Sequence, residues 1–117
     1  MRVYTDGSRI EEKARCGLVL FEDEWALPVE EFYKGPAHST VFQMEIKAIE
    51  RAAAKLENEW QVNPYLAREA EIMVDSQAAI LALENEITDS AEVMKCKNAL
   101  NQAGTLGKLP LNGLKLM

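Results

Sequence analysis

Apolar and polar residues follow a strand-like pattern early in the chain and a helical one later. "RVYT" at 2–5 is a short β-prone run, and "DGS" at 6–8 is a turn signal that predicts its end. "RCGLVLFE" at 15–22 is strongly apolar and reads as a strand interior to a sheet. "ALPVEEFYKG" at 26–35 is a third strand. Pro28 near its start favours an edge position, because proline cannot donate to a sheet ladder. Short connections among the three predict an antiparallel meander.

From about Val41 to Trp60 the spacing becomes helical, with Phe42, Ile46, Ile49, Ala53 and Leu56 on one stripe and Ser39 or Thr40 as N-terminal cap. Asn63–Pro64 marks a loop. "AEIMVD" at 70–75 predicts a fourth strand and "SQAAILAL" at 76–83 a helix. A further helix is expected over 89–103, with Val93, Cys96, Leu100 and Ala103 on one stripe and "AG" ending it. "KLPLNGLKL" at 108–116 is a fifth strand weakened by Pro110 and Gly113. A strand, a helix and a further strand suit a right-handed crossover into parallel pairing. The expectation is an α/β fold, a mixed sheet with helices packed on it.

Composition fits this picture. A chain of 117 residues has room for one domain, here 1–117, with an ordinary core. The net charge of −6 argues against a general nucleic-acid binder. The charge is uneven: residues 1–92 hold all 19 acids against nine bases, and 93–117 hold four lysines and no acid. Any basic surface from that tail would centre on Lys95, Lys97, Lys108 and Lys115, although a solvated helix face accounts for them as well. Two cysteines make no disulfide framework, and none has zinc-site spacing, so a reducing intracellular location is expected. No run reaches membrane-spanning length and no signal peptide is visible.

One residue breaks the pattern. Glu45 sits within the apolar stripe, where a carboxylate costs free energy unless something satisfies it. Asp6 and Asp75 each follow an apolar strand and precede a small residue, Gly7 or Ser76. If the first and fourth strands lie parallel and adjacent, both side chains emerge where open α/β sheets place ligands. Glu45, near the start of the first helix, can point to the same place. Taken singly, Asp6 reads as a turn residue, Asp75 as a helix cap and Glu45 as a first-turn acid. Together they would repel unless a cation sits among them. An all-oxygen donor set suits Mg2+ or Mn2+ rather than zinc.

"YTDGS" at 4–8, "FQMEIKAIERA" at 42–52 and "VDSQAAILAL" at 74–83, in that order, resemble the three acidic motifs of type 1 ribonuclease H domains. "STVFQMEI" most resembles the ribonuclease H domains appended to the reverse transcriptases of non-LTR retrotransposons. The resemblance covers residues 2 to about 103. It implies a five-stranded sheet in the order 3-2-1-4-5 and cleavage of the RNA strand of RNA–DNA hybrids by two Mg2+ (or Mn2+). It implies metal binding and catalysis by Asp6, Glu45 and Asp75. Gly7, Ser8, Ser76 and Gln77 would lie near the nucleic acid. Where cellular members place Asn and Gln for hybrid contacts, this chain has Val41 and Phe42, so that role does not carry over. His38 reads as a surface-loop residue.

The pattern departs from the family after the fifth strand. The last acid is Glu92, so a fourth acidic ligand, a loop histidine and the last helix are not found in this sequence. The expectation is a C-terminally truncated domain with weak or no activity. Its uncovered sheet face would invite a homo-oligomer. A non-enzymatic scaffold for protein contacts is the alternative.

Overall fold

The computed structural model describes residues 1–23, 25–63, 69–88, 90–107 and 114–117. The elements run β1 (Arg2–Ile10), β2 (Lys13–Phe21), β3 (Val29–Lys34), α1 (Val41–Val62), β4 (Glu71–Val74), α2 (Gln77–Glu84), α3 (Ala91–Gly104) and β5 (Leu114–Leu116). They form one mixed sheet in the order β3-β2-β1-β4-β5. β1, β2 and β3 pair antiparallel, and β4 and β5 run parallel to β1. β3 is an edge strand, as Pro28 suggested.

The period-two pattern decides which face of the sheet is covered. Val3, Leu18, Leu20, Ile72, Val74 and Leu114 alternate inward and meet Ile46, Ile49, Ala53 and Leu56 of α1 in the main core. Each of the valine, leucine and isoleucine side chains contributes roughly 1.5–3 kcal/mol on burial. α3 packs beside α1 through Val93, Cys96, Leu100 and Ala103, all buried. α1 starts where Thr40 caps it: the Thr40 hydroxyl accepts from the Gln43 N–H, and the Gln43 carboxamide accepts from the Thr40 N–H. α2 starts at Ser76, whose hydroxyl accepts from the Ala79 N–H at 3.1 Å.

The other sheet face carries Tyr4, Val19, Phe21, Phe32 and Met73, and no described helix covers it. Tyr4 and Phe21 meet edge to face, 5.7 Å between centroids. Arg2 and Lys115 flank Glu71 at one end of this face.

One expectation needs correction. The first strand does not stop at "DGS": β1 continues through Asp6, Gly7 and Ser8, which pair with Gly17, Cys16 and Arg15. The chain reverses at Glu11–Glu12, with Glu11 in the left-handed region at φ 57°. Cross-strand pairing overrode the local turn preference. Of the tail lysines, two are engaged locally. Lys115 pairs with Glu71, and Lys97 donates to the Asn85 carbonyl. Lys108, Pro110 and Gly113 lie outside the described residues, as does Pro64.

Candidate active site

The two strands that carry the acids are tied together just before them. β1 pairs with β4 through Arg2–Glu71, Val3–Ile72 and Tyr4–Met73. The buried Thr5 hydroxyl then donates to the Met73 carbonyl at 3.0 Å. Continued by two residues, that register sets Asp6 level with Asp75. Beyond that point, among the described residues, β1 pairs with β2 alone, so the sheet opens between β1 and the end of β4 at the level of the two aspartates. Asp6 is therefore not at a strand end; it stands where β1 loses β4. Both aspartates are exposed.

Gly7 brings the third acid in. Its Cα lies against the first turns of α1: a Cβ there would be 2.4 Å from the Glu45 nitrogen and 2.6 Å from the Met44 carbonyl carbon. Only glycine lets the helix approach so closely. Glu45 is half-buried between the fully buried Met44 and Ile46, so its carboxylate keeps contact with solvent. The charge that looked misplaced on an apolar stripe sits beside that stripe, against β1.

Alternation along β1 turns Gly7 toward α1 and Asp6 toward the open face. Asp6 and Asp75 thus stand at the gap, while the Glu45 backbone lies against Gly7 on the helix side of the sheet. Among the described residues, no three Asp, Glu, His or Cys side chains converge on one metal-sized position. Separated carboxylates are the arrangement that mutual repulsion favours. The donor chemistry still fits a hard cation: the acids on these neighbouring segments offer oxygen only, and neither histidine nor cysteine is among them.

The remaining predicted residues are distributed as follows. Ser8 is exposed on the same side of β1 as Asp6. Ser76 is buried and its hydroxyl caps α2, so only its backbone can take another role. Gln77, the first residue of α2, is exposed. His38 is exposed in the β3–α1 loop. A groove of about 420 Å3 beside α1 is lined by His38, Gln43, Lys47, Arg51 and Lys95 among others, and by none of the three acids.

Two cations near the gap were not singled out from the sequence. Arg15 pairs directly across from Ser8 and is exposed. Arg9 donates to the Glu11 carbonyl at 3.1 Å and the Ser39 carbonyl at 3.3 Å, linking the hairpin turn to the start of α1. Only the β1–β2 register reveals Arg15, because it lies seven residues from Ser8 in sequence.

No family model matches the chain, and no curated protein does. Solved structures do. The chain is similar to RNase H1 from the halophilic archaeon Halobacterium salinarum, at 20% identity and TM-score 0.61, covering 99% of this chain and 82% of that one. It is similar to LC11-RNase H1, solved in complex with an RNA/DNA hybrid, at 17% identity and TM-score 0.70, covering 99% and 82%. It is similar to the N-terminal RNase H domain of rv2228c from Mycobacterium tuberculosis, at 14% identity and TM-score 0.64, covering 99% and 85%. With its sheet order and the three helices among its described residues, this chain has the ribonuclease H fold.

Proposed function

We propose that this chain is a metal-dependent ribonuclease H domain acting on the RNA strand of RNA–DNA hybrids. The observation that carries the reading is the register that sets Asp6 level with Asp75, with Glu45 held against the neighbouring Gly7. The hybrid-bound LC11-RNase H1 neighbour supports the substrate class. Asp6, Glu45 and Asp75 would hold Mg2+ or Mn2+, which in such sites activates a water and stabilises the leaving oxygen. The backbone at Gly7 and Ser8 and the Ser76–Gln77 turn would position the hybrid, and Arg15 would meet a phosphate. Selection of RNA would rest on its 2′-hydroxyls.

With three carboxylates on the segments around this gap, a second cation has few charged ligands left, so weak turnover is expected. The similarity of "STVFQMEI" to non-LTR retrotransposon domains supports a retroelement origin, and the two free, buried cysteines suit a reducing intracellular setting. The test is hybrid cleavage by wild type and Asp6→Asn across Mg2+ and Mn2+ concentrations. Cleavage lost in the variant supports the reading. Equal cleavage by both would show that the activity comes from elsewhere. A protein that neither cuts nor binds hybrid would favour the non-enzymatic scaffold, a reading that the exposed apolar residues around β3 support.

A further inference from the structure

β3 is an edge strand that carries the charges Glu30, Glu31 and Lys34 yet also presents large apolar side chains. Natural edges are short, charged or covered. Here Phe32 lies over Gly17 of β2 and stays 76% exposed, and the loop leading into β3 presents Trp25 at 92% and Leu27 at 89%. Asp23 fixes that loop by accepting from the Trp25 and Ala26 N–H groups, both at 2.7 Å. Large apolar surface therefore clusters along one unpaired strand.

The backbone on that edge is readable from its neighbour. The Gly35 N–H donates to the Ala14 carbonyl at 2.9 Å. In an antiparallel ladder the bonding direction alternates, so Tyr33, Glu31 and Val29 spend their groups on β2. Glu30, Phe32 and Lys34 turn theirs outward. Those three side chains also share the open face of the sheet.

We infer that β3 is a self-association edge, pairing antiparallel with β3 of a second copy of this chain about a two-fold axis at Phe32. In this register Phe32 exchanges backbone hydrogen bonds with the partner's Phe32. Glu30 stands opposite the partner's Lys34, and Lys34 opposite the partner's Glu30. Glu31 meets the partner's Tyr33. Every outward backbone group finds a mate, and every charge on the open face meets its opposite. The Lys34 carbonyl accepts a long 3.4 Å bond from Lys47 Nζ and keeps a second lone pair for the ladder. Centring the axis on Glu31 instead would set that residue against the partner's Glu31, so the charges favour the Phe32 register over that one. The axis stands perpendicular to the sheet, so the helices of both copies lie on one side and the open faces join on the other.

Sedimentation equilibrium over a concentration series tests this, on wild type, Glu30→Lys, Lys34→Glu and an equimolar mixture of the two variants. Each reversal alone places like charges opposite one another twice per dimer, and should weaken association on the order of tenfold or more. In the mixture every such pair is complementary again, so a heterodimer should form at wild-type strength. That recovery requires both variants to be folded. A wild type that stays monomeric throughout, or single variants that associate as tightly as wild type, would overturn the proposal. So would a dimer lost only in Val19→Lys, which would place the contact on the open sheet face instead.

Discussion

Gly7 and Glu45 touch through their backbones. A methyl on Gly7 would stand 2.4 Å from the Glu45 nitrogen and 2.9 Å from its Cα. The helix cannot retreat, because the residues on either side of Glu45 are fully buried in the cores. Gly7→Ala is therefore expected to destabilise by about 3 kcal/mol or more, at the upper end of overpacking effects. Gly17→Ala is the control. Its new methyl would meet the Phe32 ring at 2.9 Å, but that ring is exposed and can swing away. Urea unfolding of both variants decides it, and equal losses would show that the β1–α1 contact yields.

The same glycine shows which information a sequence carries. "DGS" is turn chemistry in isolation, and nothing local says otherwise. The pairing of Gly7 with Cys16 and Ser8 with Arg15 keeps it extended, and the reversal falls on Glu11–Glu12, which carry no turn signal. Edge placement of β3, the α1 stripe and the α3 stripe were legible because each rests on periodicity or on one residue's chemistry, whereas the α2 cap fell on Ser76 and not on Asp75. The three acids were legible as a motif. Their placement relative to the gap was not, since it depends on where β4 stops pairing with β1. Arg15 was invisible because only the β1–β2 register sets it opposite Ser8.

Asp6 and Asp75 stand level at the opening of the sheet, and like charges on neighbouring strands oppose folding. In metal-free buffer Asp6→Asn is expected to melt at a higher temperature than wild type. Mg2+ should then raise the wild-type Tm more than that of the variant, because a ligand that binds only the folded state stabilises it by mass action. Calorimetric melts with and without Mg2+ measure both shifts. If neither protein responds to Mg2+ or Mn2+, the three acids do not form a cation site.

Glu31 on β3 accepts a hydrogen bond from the Tyr33 hydroxyl and lies 3.2 Å from Lys55 Nζ, which also reaches Glu59 at 3.2 Å. The Tyr33 hydroxyl first, and then Lys55, hold the Glu31 carboxyl below its ordinary value of 4.5, against the opposing effect of partial burial. A depressed carboxylate contributes stability that is complete above its unfolded pKa and is lost as pH falls through its folded pKa. Glu31→Gln should thus be less stable than wild type at neutral pH, with the difference shrinking below about pH 4. At the alkaline end burial and Glu31 push the Tyr33 hydroxyl above 10.0, so its contribution is lost as pH rises through that raised value. Unfolding free energies across pH test this. A difference between wild type and Glu31→Gln that holds constant into acid would dissolve the link to this cluster.

Cys96 and Cys16 are both buried, yet they should react differently. Cys96 lies in the main core on the buried stripe of α3, and burial, with a smaller push from the Glu50 carboxylate, raises its thiol to about 12. Burial raises the Cys16 thiol as well, but Lys47 and Arg51 pull it back toward the reactive thiolate. At about pH 8 a thiol of that raised value is ionised in only about one molecule in ten thousand, against roughly a quarter for an unperturbed cysteine. Native protein treated with iodoacetamide should therefore be alkylated at Cys16 well before Cys96, and the two rates should converge once urea unfolds the chain. Peptide mass spectrometry over time separates the sites. Native alkylation of Cys96 as fast as Cys16 would mean that the α1–α3 contact opens readily and that the core there is not closed.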